Sequence, residues 1–565
     1  MSNNIALKSL NQYRKRDIIA YLSLRYYLDS KSSQTDLWAR EVATNLTLKN
    51  ESSDFLKIKH FKCFINNEIK FREIHIPSPN DIISESVLIS ECAKHDSFYT
   101  NSAVYSYLLN DTNESIYKHY TNGLNKRFLS IQQACRDKTN EEVLYLDVKS
   151  FYPSINLSTI EKIWIKACSD SNIPSLYLEL GKKFINKYKI EQKEVKNPGL
   201  LIGPMFCHLL ANLYLKEIDS FMKTTTLNRY WRYVDDIVIM GNKKEIELFS
   251  KELHQKMNNL GLDLHDESKF FRLTTHEWLE NESGIDPNLS WKWPKLIGSI
   301  KKIAIYQPEK INQLKKIFNE MEVRLEILDY SREVKSAFTS FKFFEWLKRN
   351  IKSEKTTIED IIEYTENLRN KYFELFIKAI KMQVSNELES KTRITRIKYL
   401  VGRLIYLAKE KDLKVILENL VEIPELLIQY EIIKTIITRD ISTIVKLGTN
   451  ASQAVAQVIK QNEASLKCKL DPSDKDVIFA LSIFKFHGIK IEFTEPTEIK
   501  NSFYDFASGD IDSALETDST YLRQLISLHG RDDSKHEAML TTLFDENESL
   551  SFDVLNAGSV SSYYF

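Results

Sequence analysis

The sequence predicts an α+β domain in the N-terminal part of the chain, followed by an all-α region of helical repeats. Short β-branched runs alternate with helical segments and turn residues up to about residue 300. From about residue 305, apolar residues recur at spacings of three and four, and short polar breaks separate the segments. The low content of 14 glycines and 12 prolines among 565 residues also favours long helices over many turns.

The charge balance and the cysteines limit the class of protein. Lys+Arg and Asp+Glu both number 78, which argues against a uniformly basic nucleic-acid coat but allows a local basic groove. The six cysteines have no metal-ligand spacing, so they are predicted to be buried free thiols in a reducing compartment. Because neither a signal core nor a run of ~18 apolar residues is visible, we expect a cytoplasmic protein without a membrane partner.

The α+β part begins, by prediction, with an N-terminal helical extension over residues 1–70. A strand follows from Phe71 and ends before Pro77, where proline interrupts the alternating pattern. A mixed segment rich in tyrosine and asparagine covers about 100–140. The apolar run at 143–147 then predicts a short buried strand.

A β-hairpin is predicted at residues 230–240. There Asp235 and Asp236 lie between an aromatic run and a β-branched run that Gly241 bounds. Neighbouring strand residues face opposite ways, so this pattern alone allows only one of the two acids to enter a given site. Acids at a hairpin bend suit a divalent metal, although the pair taken alone is equally consistent with a solvated turn.

The C-terminal part is predicted to contain two regions. Residues 301–490 read as an α-helical repeat domain of the HEAT-like type, with an irregular helical bundle as the alternative. Residues 491–565 read as an acidic, serine-rich region with a mobile tail that contains Tyr563 and Tyr564. The predicted helical segments are 307–328, 332–350, 356–386, 388–409, 412–421, 424–438 and 440–447.

A third acid strengthens the case for a site at the hairpin. Asp147 ends the strand-like run at 143–147, and the aromatic pair Phe151 and Tyr152 follows it. A strand-end acid together with Asp235 can hold two Mg²⁺ ions ~3.5–4 Å apart. Before the next helix, a glycine-containing loop with Gly203 is expected to let the backbone approach a base pair or template closely.

The order of these motifs resembles palm motifs A to D of reverse transcriptases, over about residues 70–270. The matching segments are Asp147-x-x-x-Phe151-Tyr152, Gly199 to Pro204 with its helix, Tyr233-x-Asp235-Asp236, and Gly261 to Lys269. The resemblance implies a polymerase palm and fingers over 71–300, right-hand-like and without a conventional thumb.

The resemblance also implies roles for individual residues. Asp147, Asp235 and Asp236 would be the catalytic carboxylates that bind two Mg²⁺ ions, with Mn²⁺ as the alternative. Lys269 would be the lysine that protonates the leaving pyrophosphate. The implied substrate-binding residues are Tyr152 at the steric gate against a ribose 2′-hydroxyl, its neighbour Phe151, Gly203, and Arg72 as a triphosphate contact.

The chain departs from the family at Leu201-Ile202-Gly203, where many reverse transcriptases have Pro-Gln-Gly, so the expected template contacts are altered. Together with the long helical region, this departure resembles the defence-associated (abortive-infection) reverse transcriptases of bacteria. That resemblance implies anti-phage defence, DNA synthesis from dNTPs on an RNA template such as a non-coding RNA, and a homo-oligomer. It also implies a DNA product attached covalently to a priming tyrosine, for which Tyr563 and Tyr564 are the candidates.

Three alternatives stay open. An RNA-dependent RNA polymerase shares the palm, and a template-independent nucleotidyltransferase would fit the divergent loop before the long helix. The third is a helical-repeat scaffold with an inactive palm. The retention of Asp147, Asp235 and Asp236 together argues against a scaffold, since nothing structural demands all three.

Overall fold

The structure, a computed structural model, describes residues 5–527 apart from 14–16, 29–34, 50–52, 66–67, 111–114, 119, 197, 266–270, 281–286, 326, 328–355, 385–386, 460–464, 471, 473 and 495–498. Helices predominate in this described part, and its strands form a two-stranded hairpin, a four-stranded sheet and a short parallel pair. All six cysteines are free, and all but Cys63 are buried, as the sequence predicts. None of the helices in the described ranges is long and apolar enough to cross a membrane.

The N-terminal segment begins with helices α1 (Ile5–Tyr13), α2 (Ile18–Leu28) and α3 (Asp36–Leu48). It then forms an antiparallel hairpin of strands β1 (Leu56–Ile65) and β2 (Glu68–Ile76). The expectation of a helical extension over 1–70 is therefore wrong for its last part. Buried apolar residues alternate with exposed lysines from Leu56 to Lys59, and this period of two fits a strand with one face against the core.

The four-stranded sheet has the order β4-β5-β3-β6, and each neighbouring pair is antiparallel. Its hairpin of β4 and β5, and the strand β3, confirm the predictions for 230–240 and 143–147. The elements from β2 to the end of this sheet are α4 (Pro79–Cys92), α5 (Tyr120–Asp137), β3 (Glu142–Asp147), α6 (Phe151–Ser154), α7 (Leu157–Ser171), α8 (Ser175–Glu191), α9 (Met205–Thr225), β4 (Tyr230–Tyr233), β5 (Asp236–Gly241), α10 (Lys243–Asn259), β6 (Phe271–Thr274) and α11 (Thr275–Glu280).

The two faces of this sheet bury different side chains, as strand alternation requires. One face belongs to the main core, which also includes residues of α9 and α10; its strand members are Leu144, Leu146, Tyr230, Ile237 and Ile239. The opposite face packs against α5 and α11 through a smaller cluster, made of Ile131, Cys135, Val143, Tyr145, Trp231, Val238, Met240 and Trp278. Asp147 and Asp236 continue the strand positions of this second face, beyond the end of the cluster.

The remaining described residues are largely helical, with helices α12 (Pro287–Tyr306), α13 (Ile311–Glu320), α14 (Ile358–Lys381), α15 (Glu387–Leu407), α16 (Glu410–Leu420), α17 (Leu427–Thr438), α18 (Ser442–Lys446), α19 (Thr449–Ile459), α20 (Lys475–Phe486), α21 (Ser502–Ser508), α22 (Ile511–Leu515) and α23 (Thr520–Ser527). The predicted segment 332–350 lies outside the described residues. A HEAT-like repeat organisation stays a prediction. Strands β7 (Leu466–Cys468) and β8 (Ile491–Phe493) form a parallel pair, so the region is not wholly α and the predicted boundary at 490 falls at this pair.

Candidate active site

Three carboxylates meet at one end of the four-stranded sheet. Asp147 at the end of β3 lies directly opposite Asp236 at the start of β5, and each is only 7% exposed. Asp235, partly exposed, precedes β5 in the hairpin turn. One oxygen from each of the three side chains lies within 4.8 Å of the others. The expectation that strand alternation admits only one of Asp235 and Asp236 is therefore wrong.

The reason lies in the turn between β4 and β5. Val234 has a φ of 55°, in the left-handed region that β-branched residues rarely adopt, and this conformation takes Asp235 out of the strand alternation. Two hydrogen bonds hold Val234 there: its N–H donates to Ser106 Oγ at 2.7 Å, and its carbonyl accepts from Arg232 Nη1 at 2.9 Å. Side chains that lie outside the turn therefore hold its strained backbone in place.

Arg232 is the centre of a fully buried polar network. Its guanidinium donates to both carboxylate oxygens of Asp219, at 2.8 and 2.7 Å, and to Asn212 Oδ1 at 3.1 Å. Tyr230 also donates its hydroxyl to Asp219. Arg232 and Asp219 are buried to 0% and 1% side-chain exposure, so neither charge is tolerable without the other. Because Asn212 and Asp219 lie on α9, this helix anchors the turn that carries Asp235.

The electrostatics of the acid cluster favour a cation. Burial and then the neighbouring Asp235 carboxylate raise the pKa of Asp236 to about 7. The hydroxyl of Tyr145 donates to Asp236 Oδ1, and the positive charge of Arg127 acts in the opposite direction on this pKa. Asp147 lies near a further basic group, His265, whose Nε2 is 3.7 Å from Asp147 Oδ2. Three converging carboxylate oxygens form a donor set that hard divalent cations prefer, so the residues fit a metal.

Tyr152 lies beside this cluster in sequence and is tied to α9. It is the second residue of α6 and is partly exposed, and its hydroxyl is 2.5 Å from Nδ1 of His208. Phe151 is only 3% exposed, and its ring packs edge-on against the ring of Tyr152. The structure thus places Phe151 in the core, where it supports Tyr152.

The glycine loop before α9 contacts protein rather than open space. Gly203 has a φ of 133°, and a Cβ at this position would lie 2.1 Å from the carbonyl oxygen of His75 at the end of β2. The adjacent Ile202 carbonyl accepts a hydrogen bond from His75 N at 2.8 Å. Gly203 is therefore needed for the approach of β2, which differs from the expected approach of a base pair or template.

Residues 69–280 match the family model described as "Reverse transcriptase (RNA-dependent DNA polymerase)". This stretch is a reverse transcriptase domain. It includes nearly all of β2, the four-stranded sheet and the three acids. The domain indicates an RNA-directed DNA polymerase, which is a nucleotidyltransferase with nucleotides and a nucleic-acid template as its substrates. No curated protein matches the chain.

Other predicted site residues are not part of the acid cluster of the reverse transcriptase domain. Arg72 is exposed on β2 opposite His60, and its side chain makes no hydrogen bond or ion pair within the described ranges. Lys269, Tyr563 and Tyr564 lie outside the described residues.

Sequence reasoning missed several residues that support the reverse transcriptase site: Tyr145, His208, Asp219, Arg232 and His265. Tyr145 carried a usable signal, because it is two residues before Asp147 and so shares its strand face. Arg232 carried a weaker one, since an arginine within an aromatic strand needs a buried partner. The chain gives no local indication that this partner is Asp219.

Proposed function

We propose that this chain synthesises DNA from dNTPs on an RNA template, with Asp147, Asp235 and Asp236 as its catalytic, metal-binding carboxylates. The convergence of these three carboxylates in a reverse transcriptase domain carries the proposal. The tight pairing of Asp147 and Asp236 on neighbouring strands, together with the fixed turn at Asp235, supports a preorganised site.

In this proposal the cation is magnesium, bound as two ions, and the three carboxylates hold it. When bound, such ions stabilise the charge that develops during in-line displacement at phosphorus and activate the attacking hydroxyl. The protein side chains keep the carboxylates in place. Tyr145 holds Asp236 through its hydroxyl, and Arg232 holds the turn at Val234.

Substrate selection is assigned to Tyr152. Its partly exposed ring would be a wall beside the sugar of the incoming nucleotide and would exclude a ribose 2′-hydroxyl. The family resemblance alone supports Arg72 as a triphosphate contact and Lys269 as the proton donor to pyrophosphate. Gly203 shapes the adjoining surface by allowing β2 to approach the loop.

The proposal is tested by primer extension with the purified full chain, Mg²⁺, a defined RNA template and an annealed DNA primer. We expect template-directed incorporation of dNTPs in preference to rNTPs. Asp235→Asn should lower the rate by at least about 100-fold, since it removes a negative charge that holds the cations needed to stabilise the transition state. Asp170→Asn, which changes an exposed acid on α7, is the matched control and should retain the wild-type rate.

Other outcomes would identify the alternatives. Incorporation that ignores the template sequence would indicate a template-independent nucleotidyltransferase, and a preference for rNTPs would indicate an RNA polymerase. Full activity of the Asp235→Asn variant would overturn the assignment of the catalytic carboxylates.

We further propose that Tyr563 or Tyr564 of the C-terminal tail primes synthesis. We also propose that the chain acts as a homo-oligomer and that its activity serves bacterial anti-phage defence. A phenol can replace a primer 3′-hydroxyl as the nucleophile when it is activated. Replacing both tyrosines by phenylalanine should remove covalent protein–DNA adducts from denaturing gels but leave extension of an annealed primer. Unchanged adducts would contradict tail priming, and equal phage resistance of cells carrying wild-type or Asp235→Asn protein would contradict the defence role.

A further inference from the structure

Tyr152 is held at one end by the segment that leads into α9 and at the other by the first turn of that helix. Its carbonyl accepts a hydrogen bond from Leu200 N at 2.9 Å. Its hydroxyl, at the far end of the side chain, is hydrogen-bonded to Nδ1 of His208 at 2.5 Å. The backbone and the ring of one residue are therefore both fixed by residues 200–208.

The backbone contact is close because of a second glycine. A Cβ at Gly199 would lie 2.0 Å from the carbonyl oxygen of Pro153, so only glycine permits this approach to α6. The Gln192 side chain accepts a hydrogen bond from the N–H of Gly199 at 3.2 Å and donates one to its carbonyl at 2.6 Å, and these two bonds fix the position of the loop. The position of Tyr152 Cα is thus set independently of its side chain.

His208 is itself immobilised. It is 3% exposed, and its ring stacks on that of Tyr107 with centroids 3.8 Å apart and planes within 5° of parallel. The ring of Tyr117 contacts it edge-on, with centroids 6.3 Å apart. Any movement of His208 would break this aromatic contact inside the core, so it is a fixed anchor for the Tyr152 hydroxyl.

A partly exposed tyrosine does not need a buried partner, because water can satisfy its hydroxyl. Here the hydroxyl is directed inward to a buried imidazole, which confines the ring to one orientation about χ1 and χ2. A wall that excludes a 2′-hydroxyl by contact discriminates only as far as it cannot retreat. The more rigidly the ring is held, the greater the selectivity that Tyr152 can provide.

We infer that His208 is a positioning residue for sugar discrimination, which holds Tyr152 as a rigid wall beside the incoming nucleotide. The inference rests on the proposed function, since it requires that Tyr152 face the sugar. His208 contacts no substrate in this assignment. It acts through the hydrogen bond to Tyr152.

The experiment compares kcat/KM for dATP and for ATP, each in single-nucleotide extension of a DNA primer on an RNA template, with the full chain and Mg²⁺. His208→Phe keeps a ring to stack on Tyr107 but removes the hydrogen bond, and Tyr152→Phe removes the same bond from its other side. Each should lower the dATP/ATP selectivity by about 3- to 10-fold, the value of one hydrogen bond. The double variant should lose no more than the larger single loss, because both changes remove one interaction.

Two further variants separate positioning from general damage. His208→Asn places an amide near the Nδ1 position and should recover most of the selectivity. His487→Phe makes the same replacement at a buried histidine that bonds Gln453 at 3.0 Å in the helical region, and it should leave selectivity unchanged.

The outcomes distinguish this inference from the function on which it rests. Tyr152→Ala should lower selectivity most; if it has no effect, Tyr152 does not face the sugar and its proposed role fails. If Tyr152→Ala lowers selectivity while His208→Phe and Tyr152→Phe do not, the positioning role alone is overturned. A loss of activity with both nucleotides at a constant ratio would also overturn it, and Tyr152→Phe decides the question if His208→Phe does not fold.

Discussion

Arg232 makes two contacts of different kinds through one side chain. Its guanidinium neutralises Asp219 in the core and also holds the carbonyl of Val234, next to Asp235. These two contacts respond differently to mutation. Removing both charges makes charge compensation between Arg232 and Asp219 unnecessary, but it does not restore the hydrogen bond to the Val234 carbonyl.

We therefore expect Arg232→Met to lower the free energy of unfolding by about 3–5 kcal/mol, because it leaves Asp219 charged and buried without a cationic partner. Adding Asp219→Leu should restore part of this loss. Primer extension should stay low in both variants, since the turn at Val234 remains unanchored. Urea denaturation and primer extension measure the two effects, and a double variant that is less stable than Arg232→Met would contradict the explanation.

Glu85 offers a test of pH dependence away from the acid cluster. It accepts hydrogen bonds from Met205 N at 2.8 Å, from Phe206 N at 3.3 Å and from the Tyr188 hydroxyl at 3.0 Å, at the beginning of α9. Burial raises the pKa of Glu85 from 4.5 to about 8. The folded protein thus binds the proton of the Glu85 carboxyl group more tightly than the unfolded chain does. The contribution of this proton to the stability of the fold is complete below about pH 4.5 and is lost as the pH rises to about 8.

Glu85→Gln keeps an acceptor oxygen but never ionises. Its melting temperature relative to wild type should therefore rise as the pH increases from about 4 to about 8.5, the range that spans both pKa values. Thermal melts of the full chain across this range measure the difference. Glu217→Gln, at a glutamate with 91% side-chain exposure, is the control and should give a flat difference. A flat difference for Glu85→Gln would contradict the raised pKa.

At the scale of elements, the glycine loop determines how β2 meets α9. Gly203→Ala would bring a Cβ to 2.1 Å from the His75 carbonyl at a φ of 133°. The strain of such a conformation costs on the order of 1–3 kcal/mol. We expect polymerisation to fall by about 100-fold, because the displaced loop adjoins Tyr152.

Gly298 provides a matched control for this substitution. It lies in α12, and a Cβ there meets nothing within 4 Å. Gly298→Ala should raise the free energy of unfolding by about 0.5–1 kcal/mol, because alanine loses less backbone entropy in a helix. Wild-type extension rates for Gly203→Ala would contradict the close packing of β2 on this loop.

Local patterns predict the elements whose burial has a simple period. The hairpin at 230–240 and strand β3 follow from apolar runs that end at acids. Strand β1 is missed because its alternation of apolar residues and lysines lasts only from Leu56 to Lys59 and does not continue beyond. Helix α5 is missed within a segment rich in tyrosine and asparagine, since its burial depends on a sheet that forms later in the chain.

The three acids of the candidate site are predicted from the sequence, but the side chains that hold the site in place are not, for a related physical reason. Asp147, Asp235 and Asp236 stand at fixed places relative to their own strands, so their order identifies them. The bond of Tyr152 to His208 joins residues 56 apart, and its geometry depends on how α9 packs. No periodicity in the sequence contains that information.

At the scale of the whole molecule, the helical region completes the β1–β2 hairpin. A two-stranded hairpin has unpaired backbone groups along its outer edges and is marginal by itself. Here Asn450, in α19, pairs with Phe61 as a strand would: its Oδ1 accepts from Phe61 N at 3.0 Å, and its Nδ2 donates to Phe61 O at 3.2 Å. Lys59 adds an ion pair to Asp476 at 2.6 Å.

This docking connects the C-terminal part of the chain with the candidate active site through β2. The hairpin partner β2 ends at His75 and Ile76, and His75 contacts the Gly203 loop that positions Tyr152. The helical region therefore supports the β1–β2 hairpin through the Asn450 side chain and the ion pair of Asp476, and its removal would leave an edge of β1 exposed.

We expect Asn450→Leu to increase amide hydrogen exchange in β1 (Leu56–Ile65) by about 5- to 30-fold, since it removes the two hydrogen bonds to Phe61 and each contributes roughly 1 kcal/mol. Mass spectrometry of peptides covering β1 measures this change, and primer extension should decrease in parallel because β2 loosens with its partner strand. Asn419→Leu is the control, since Asn419 is partly exposed and its side chain bonds, among the described residues, only the Val415 carbonyl of its own helix. If exchange in β1 were unchanged, or changed equally in the control, the hairpin would not depend on the helical region, and the two parts of the chain would be energetically independent.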